Sequence, residues 1–158
     1  MLALLPLSRE TIVSSYDARQ LSKRLWNVTK PSHREEWMPD VHEDKLLFNG
    51  WVKKENFKLS RKVSRANNFL PLISGRIESS SIGSIVLIRY RLFMWTLSFL
   101  IFWSVLTGLF ALYFFIYERI YINAIFSLLL GVANYVIAVL NFHKQVKLSS
   151  RILHEVLE

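Results

Sequence analysis

The chain has 158 residues, 52% of them hydrophobic, and a formal charge of +8; that length suits one small domain with a membrane anchor. It contains no cysteine, which excludes disulfides and thiolate-bound metals. Charge is unevenly spread: residues 1–52 sum to zero, residues 53–91 carry nine Lys/Arg against Glu55 and Glu78, and residues 92–142 carry only Glu118 and Arg119.

Residues 1–91 read as an α/β segment. Met1–Pro6 has no basic start and too short an apolar run for a cleaved signal peptide. Thr11–Val13 reads as a short strand. Ser14 followed by Asp17 gives a helix-start signal. Ala18, Leu21, Leu25 and Val28 then form one apolar helical face, which Pro31 closes. Residues 31–45 form a polar loop holding His33, Glu35, Glu36, Asp40, His42, Glu43 and Asp44. Its two histidines match no tight ligand spacing, so a solvated acidic loop is expected, with no metal or cofactor.

Leu46–Val52 and Asn56–Val63 read as strands around a hairpin tip at Lys53–Glu55. On the second strand Phe57, Leu59 and Val63 share a face, with Arg61 as its polar exception. Phe69–Ile77 contains Pro71 and Gly75, which predicts an edge position or a bulge. Ser79–Gly83 is turn-like, and Ser84–Tyr90 is the strongest strand. It enters Arg91 and Leu92 with almost no linker, so no flexible tether is expected.

Residues 92–142 predict a transmembrane hairpin. Residues 92–117 and 120–142 are uncharged runs of 26 and 23 residues. The first spans roughly 39 Å as a helix, more than the hydrocarbon core of about 30 Å. The turn is expected between Tyr117 and Asn123. Phe93 and Trp95 at one end, and Tyr113, Tyr117 and Tyr121 at the other, fit interfacial aromatic belts. Arg89 and Arg91 precede the hairpin, and Lys144, Lys147 and Arg151 follow it, which places both termini in the cytoplasm. Phe142, Val146, Ser149, Leu153 and Val156 recur at helical spacing. Residues 143–158 therefore continue the second helix as an amphipathic segment packed on the cytoplasmic sheet. The expected fold is α+β: a small antiparallel sheet with helices, a membrane hairpin and this closing helix.

Two features carry functional readings. The basic stripe Lys53, Lys54, Lys58, Arg61, Lys62 and Arg65 either contacts anionic headgroups or a partner, or is ordinary positive-inside bias on solvated strands. Asn134 is the deepest strongly polar side chain of the hairpin. Its amide is expected to bond Ser104 or Thr107 of the first helix; contact between copies or a polar path through the bilayer are the alternatives. Scattered serines sit in no nucleophile elbow, and no phosphate-binding glycine loop or nucleic-acid motif is present.

The pattern Phe48-x-Gly50-x-Val52, Phe57 with Arg61, Asn68-Phe69-Leu70-Pro71, Gly75-Arg76-Ile77 and Gly83-x-Ile85 before two apolar helices resembles small bacterial membrane proteins of unknown function. The resemblance covers about residues 46–140 and implies no activity. A strand-rich unit closed by a C-terminal helix is also loosely similar in outline to pleckstrin-homology domains. The resulting expectation is a non-enzymatic accessory or scaffold protein that self-associates or binds another protein. A sensor of anionic lipid or a small ligand, and an oligomeric transport-related subunit, are the alternatives.

Overall fold

A computed structural model describes residues 6–31, 46–65 and 67–158. The readings of the N-terminal stretch and of the loop with His33 and His42 fall outside these residues. The elements in chain order are β1 (Leu7–Ser14), α1 (Ala18–Asn27), β2 (Thr29–Pro31), β3 (Phe48–Lys53), β4 (Asn56–Arg61), β5 (Pro71–Ser80), β6 (Gly83–Leu92), α2 (Met94–Tyr113) and α3 (Tyr121–Leu157).

The strands form one six-stranded sheet in the order β1-β6-β5-β4-β3-β2. It is mixed rather than antiparallel throughout, because β2 pairs parallel to β3. The cause lies at the end of α1. The helix stops at Asn27 with Val28 as its C-cap, well before Pro31. Thr29–Pro31 is then free to run beside Phe48–Gly50. The start of α1 also differs from expectation: Asp17 is itself the N-cap, its Oδ1 accepting from the Ala18 amide at 2.7 Å.

β5 is an interior strand with neighbours on both sides and unbroken register, neither an edge nor a bulge. Pro71 is tolerated because it is the first residue of the strand. Gly75 has a packing role: a Cβ there would lie 2.2 Å from Cζ of Phe57, which fills that space across the sheet.

One sheet face is the core. Phe48, Phe57, Leu59, Ile73, Ile77, Val86, Ile88 and Tyr90 are buried on it, with Leu21 and Leu25 of α1 and Leu153 and Leu157 of α3 above them. The closing helix follows the expected stripe, except that Leu157 rather than Val156 is its last fully buried residue.

Only Phe93 separates β6 from α2. α2 ends in a π-helical turn at Phe114–Glu118. Arg119 then adopts a left-handed conformation (φ 54°), and α3 begins at Tyr121, so the reversal is tighter than the sequence indicated. Residues Met94–Glu118 and Tyr121–Leu157 are long and apolar enough to cross a membrane, with mean hydropathies of 2.2 and 2.0 over their most apolar stretches. Their outward Phe, Trp, Ile and Leu side chains are uncovered. α3 runs for 37 residues without a break, about 55 Å at the helical rise.

Candidate functional site

Strand alternation divides the sheet into a covered face and an open one. The open face presents Leu7, Arg9, Thr11 and Val13 of β1, and Ile85, Leu87, Arg89 and Arg91 of β6. Its middle carries Leu72, Ser74, Arg76 and Glu78 of β5, with Asn56, Lys58 and Ser60 of β4 and Asn49, Trp51 and Lys53 of β3 beyond. No described element packs against it.

Register sorts these residues into rows. Nearest α2, Asn49, Ser60, Leu72, Arg91 and Leu7 lie side by side. The next row is Trp51, Lys58, Ser74, Arg89 and Arg9, and the next is Lys53, Asn56, Arg76, Leu87 and Thr11. The last is Glu78, Ile85 and Val13. Six cations thus share one surface, and Glu78, 3.7 Å from Arg76, is its only carboxylate among the described residues. Arg9 and Arg89 stand directly opposite each other, an arrangement that destabilises a strand pair by a few tenths of a kcal/mol. A sequence that keeps such a conflict on an exposed face marks that face as a candidate for function.

The structure splits the stripe expected from sequence. Lys53 and Lys58 lie on the open face. Lys54 sits in the β3–β4 turn with positive φ (51°). It lines a cleft of about 680 Å³ shared with Asp17, Arg19, Lys23 and Glu55. Lys62 and Arg65 are exposed beyond the end of β4. Arg61 faces the opposite way: its Nη2 donates to Oε1 of Gln145 on α3, and its Nε is buried without a partner among the described residues. Arg9, Arg76, Arg89 and Arg91 belong to the patch although the stripe omitted them. Their signal was present as alternation in the segment IVLIRYRL and in the polar positions of β1.

A second polar cluster locks the covered face. The Glu10 carboxylate accepts from Tyr90 Oη (2.7 Å) and Ser150 Oγ (2.9 Å), and meets His154 Nε2 at 2.7 Å. Burial opposes ionisation of Glu10, but the bonds from His154, Tyr90 and Ser150 together outweigh it and hold the carboxyl below its ordinary value. The bond to Glu10 raises His154 against a smaller effect of burial, with Glu158 assisting. Burial, then Glu10, pushes the Tyr90 hydroxyl well up, so it stays a donor. Above this cluster Ser14 Oγ donates to the Leu157 carbonyl at 2.9 Å, satisfying one of the carbonyls left open at a helix end.

Asn134 makes no hydrogen bond to Ser104 or Thr107, whose hydroxyls bond carbonyls of their own helix. A polar link between α2 and α3 is instead made by Ser127 Oγ, which donates to the Thr107 carbonyl at 2.9 Å. Gly131 lies over the same threonine, where a Cβ would come within 2.5 Å of Thr107 Oγ1. Asn134 lines a cleft of about 550 Å³ with Asn68, Thr96, Ser98 and the rings of Trp95, Phe99 and Phe102.

No protein-family profile, curated protein or solved structure matches the chain.

Proposed function

We propose that the protein is a non-enzymatic, two-pass membrane protein, an accessory or scaffold subunit that holds its sheet domain rigidly against the cytoplasmic face of the bilayer. The observation that carries this reading is the double attachment of the sheet to the hairpin. β6 passes into α2 through Phe93 alone, and α3 continues unbroken from the apolar half onto the core face. A domain on one flexible tether samples all orientations; a sheet clamped at both ends of the hairpin keeps one. Basic flanks at Arg89, Arg91, Lys144, Lys147 and Arg151, against Arg119 alone in the turn, support cytoplasmic termini.

The absence of native cysteine makes the test direct. Single cysteines replacing Tyr117 in the hairpin turn and Ile82 in the β5–β6 turn are labelled with a membrane-impermeant maleimide in intact cells. Y117C reacts from outside, and I82C reacts only after lysis. The opposite pattern, or equal reaction of both in intact cells, overturns the proposal.

A second reading, recognition of a membrane amphiphile, is favoured by the cleft at Asn134. It has polar groups at Asn68 and Thr96, aromatic walls, and an amide set among them. Quenching of Trp95 fluorescence by brominated lipid, reduced in Asn134→Leu, is the expected outcome; identical quenching in both proteins refutes it.

A further inference from the structure

We infer that the open sheet face is a docking surface for an acidic segment of another protein, rather than a bilayer-binding surface. The inference rests on the membrane-scaffold reading above and names the partner's chemistry.

The argument begins with how the sheet stands on the hairpin. Along α3, Gln145 meets Arg61, Ser150 and His154 meet Glu10, and the Leu157 carbonyl meets Ser14. Glu10 pairs with Ile88 and Ser14 with Ser84, whereas the Arg61 end of β4 lies beside the Arg91 row. Climbing α3 away from its apolar half therefore means climbing β6 from its α2 end to its far end. The helix rises about 18 Å over that distance, and the strand about 23 Å. α3 also crosses the covered face from β4 at Gln145 to β1 at Leu157, so it rises with the strands at an oblique angle, and the sheet stands on the hairpin with its open face as a side wall.

Heights along that wall decide between partners. Arg91 is at the base. The row of Lys58, Arg89 and Arg9 is about 7 Å higher, the row of Arg76 and Leu87 about 13 Å, and the row of Val13 about 20 Å. Headgroup charge is screened over about 8 Å at physiological salt. The bilayer can engage the base and at most the second row. It cannot reach Arg76, and it cannot cover Leu87 and Val13, which are 41% and 76% exposed. Arginine and tryptophan around exposed aliphatic side chains are the composition of a protein interface. The cations call for carboxylates, and no element among the described residues stands beside this wall.

The probe is a fluorescein-labelled oligoglutamate peptide, added to full-length protein in phosphatidylcholine nanodiscs and followed by fluorescence anisotropy. The expected result is binding that weakens as salt rises. The pair Lys58→Glu with Arg89→Glu lowers affinity about tenfold or more. The pair Arg19→Glu with Lys23→Glu makes the same charge change on exposed positions of α1, behind the covered face, and leaves affinity within about twofold. No binding at low salt, or equal losses in the two pairs, overturns the inference. Loss of peptide binding in phosphatidylglycerol nanodiscs also overturns it, because the face is then occupied by headgroups. Failure of the membrane reading shows separately, as protein that stays soluble without detergent and does not co-elute with nanodiscs.

Discussion

The two halves of α3 solve the same packing problem by opposite means. In the half that faces α2, the contact residues are mostly small: Ala124, Ser127, Gly131 and Ala138, with Val139 the larger exception. In the half that faces the sheet they are mostly large: Phe142, Val146, Leu153 and Leu157. Burying large apolar side chains drives association in water, where each fully buried one contributes about 1.5–3 kcal/mol. In lipid that drive is absent, and helices associate through close approach and hydrogen bonds between small residues. One uninterrupted helix carrying both patterns fits the proposal that its two halves lie in two solvents.

The contrast is tested most severely at Leu153, fully buried against the sheet. Leu153→Ala should cost about 2–5 kcal/mol, read as a lower unfolding midpoint of the sheet domain in detergent. A cost under about 1 kcal/mol would show that this half is not packed as described. Gly131→Val makes the complementary intrusion: its Cβ meets Thr107 Oγ1, already bonded to the Trp103 carbonyl at 2.9 Å. A loss of about 1–3 kcal/mol in hairpin stability is expected, while the near-ultraviolet signal of the sheet domain is unchanged.

The latch at Glu10 gives the sheet half a pH signature. His154 is raised above its ordinary 6.5, so its contribution is complete below pH 6.5 and is lost as pH rises through the raised value. Glu10 is lowered from 4.5, so its contribution is complete above pH 4.5 and is lost as pH falls through the lowered value. Stability should therefore be greatest between those limits. His154→Gln should flatten the alkaline limb of the melting profile; an unchanged limb would remove His154 from the latch.

Much of this architecture is legible in the sequence. The two uncharged runs, the tip at Lys53–Glu55, the strand entering Leu92 and the stripe from Phe142 all follow from periodicity. The polar stripe of 53–65 was harder to interpret because it pools both faces of β4. Lys58 and Arg61 differ by an odd number of positions, and with a period of two they point apart. Arg9 joins the patch only through the long-range β1–β6 pairing, which no local pattern encodes. The parallel β2–β3 pair is likewise set by tertiary contact, over only Thr29–Pro31. Asn134 is conspicuous by its polarity, whereas the contact between α2 and α3 follows a quieter signal, the spacing of Ala124, Ser127, Gly131 and Ala138. The smallest expected effect follows from the Arg9–Arg89 pair. Arg9→Thr relieves a like-charge contact and should raise thermal stability by a few tenths of a kcal/mol, while weakening oligoglutamate binding.

The central claim is that Tyr121–Leu157 is a single helix divided between lipid and a clamped sheet. Nitroxide labels at Ile125, Leu129, Ile137 and Lys147 in a lipid-reconstituted protein test it by power saturation. The expected result is protection of the first three from a water-soluble relaxation agent, exposure of Lys147 to it, and rigid-helix mobility at every position. Equal access of the agent to all four labels, or a mobile segment between Ile137 and Lys147, would contradict it.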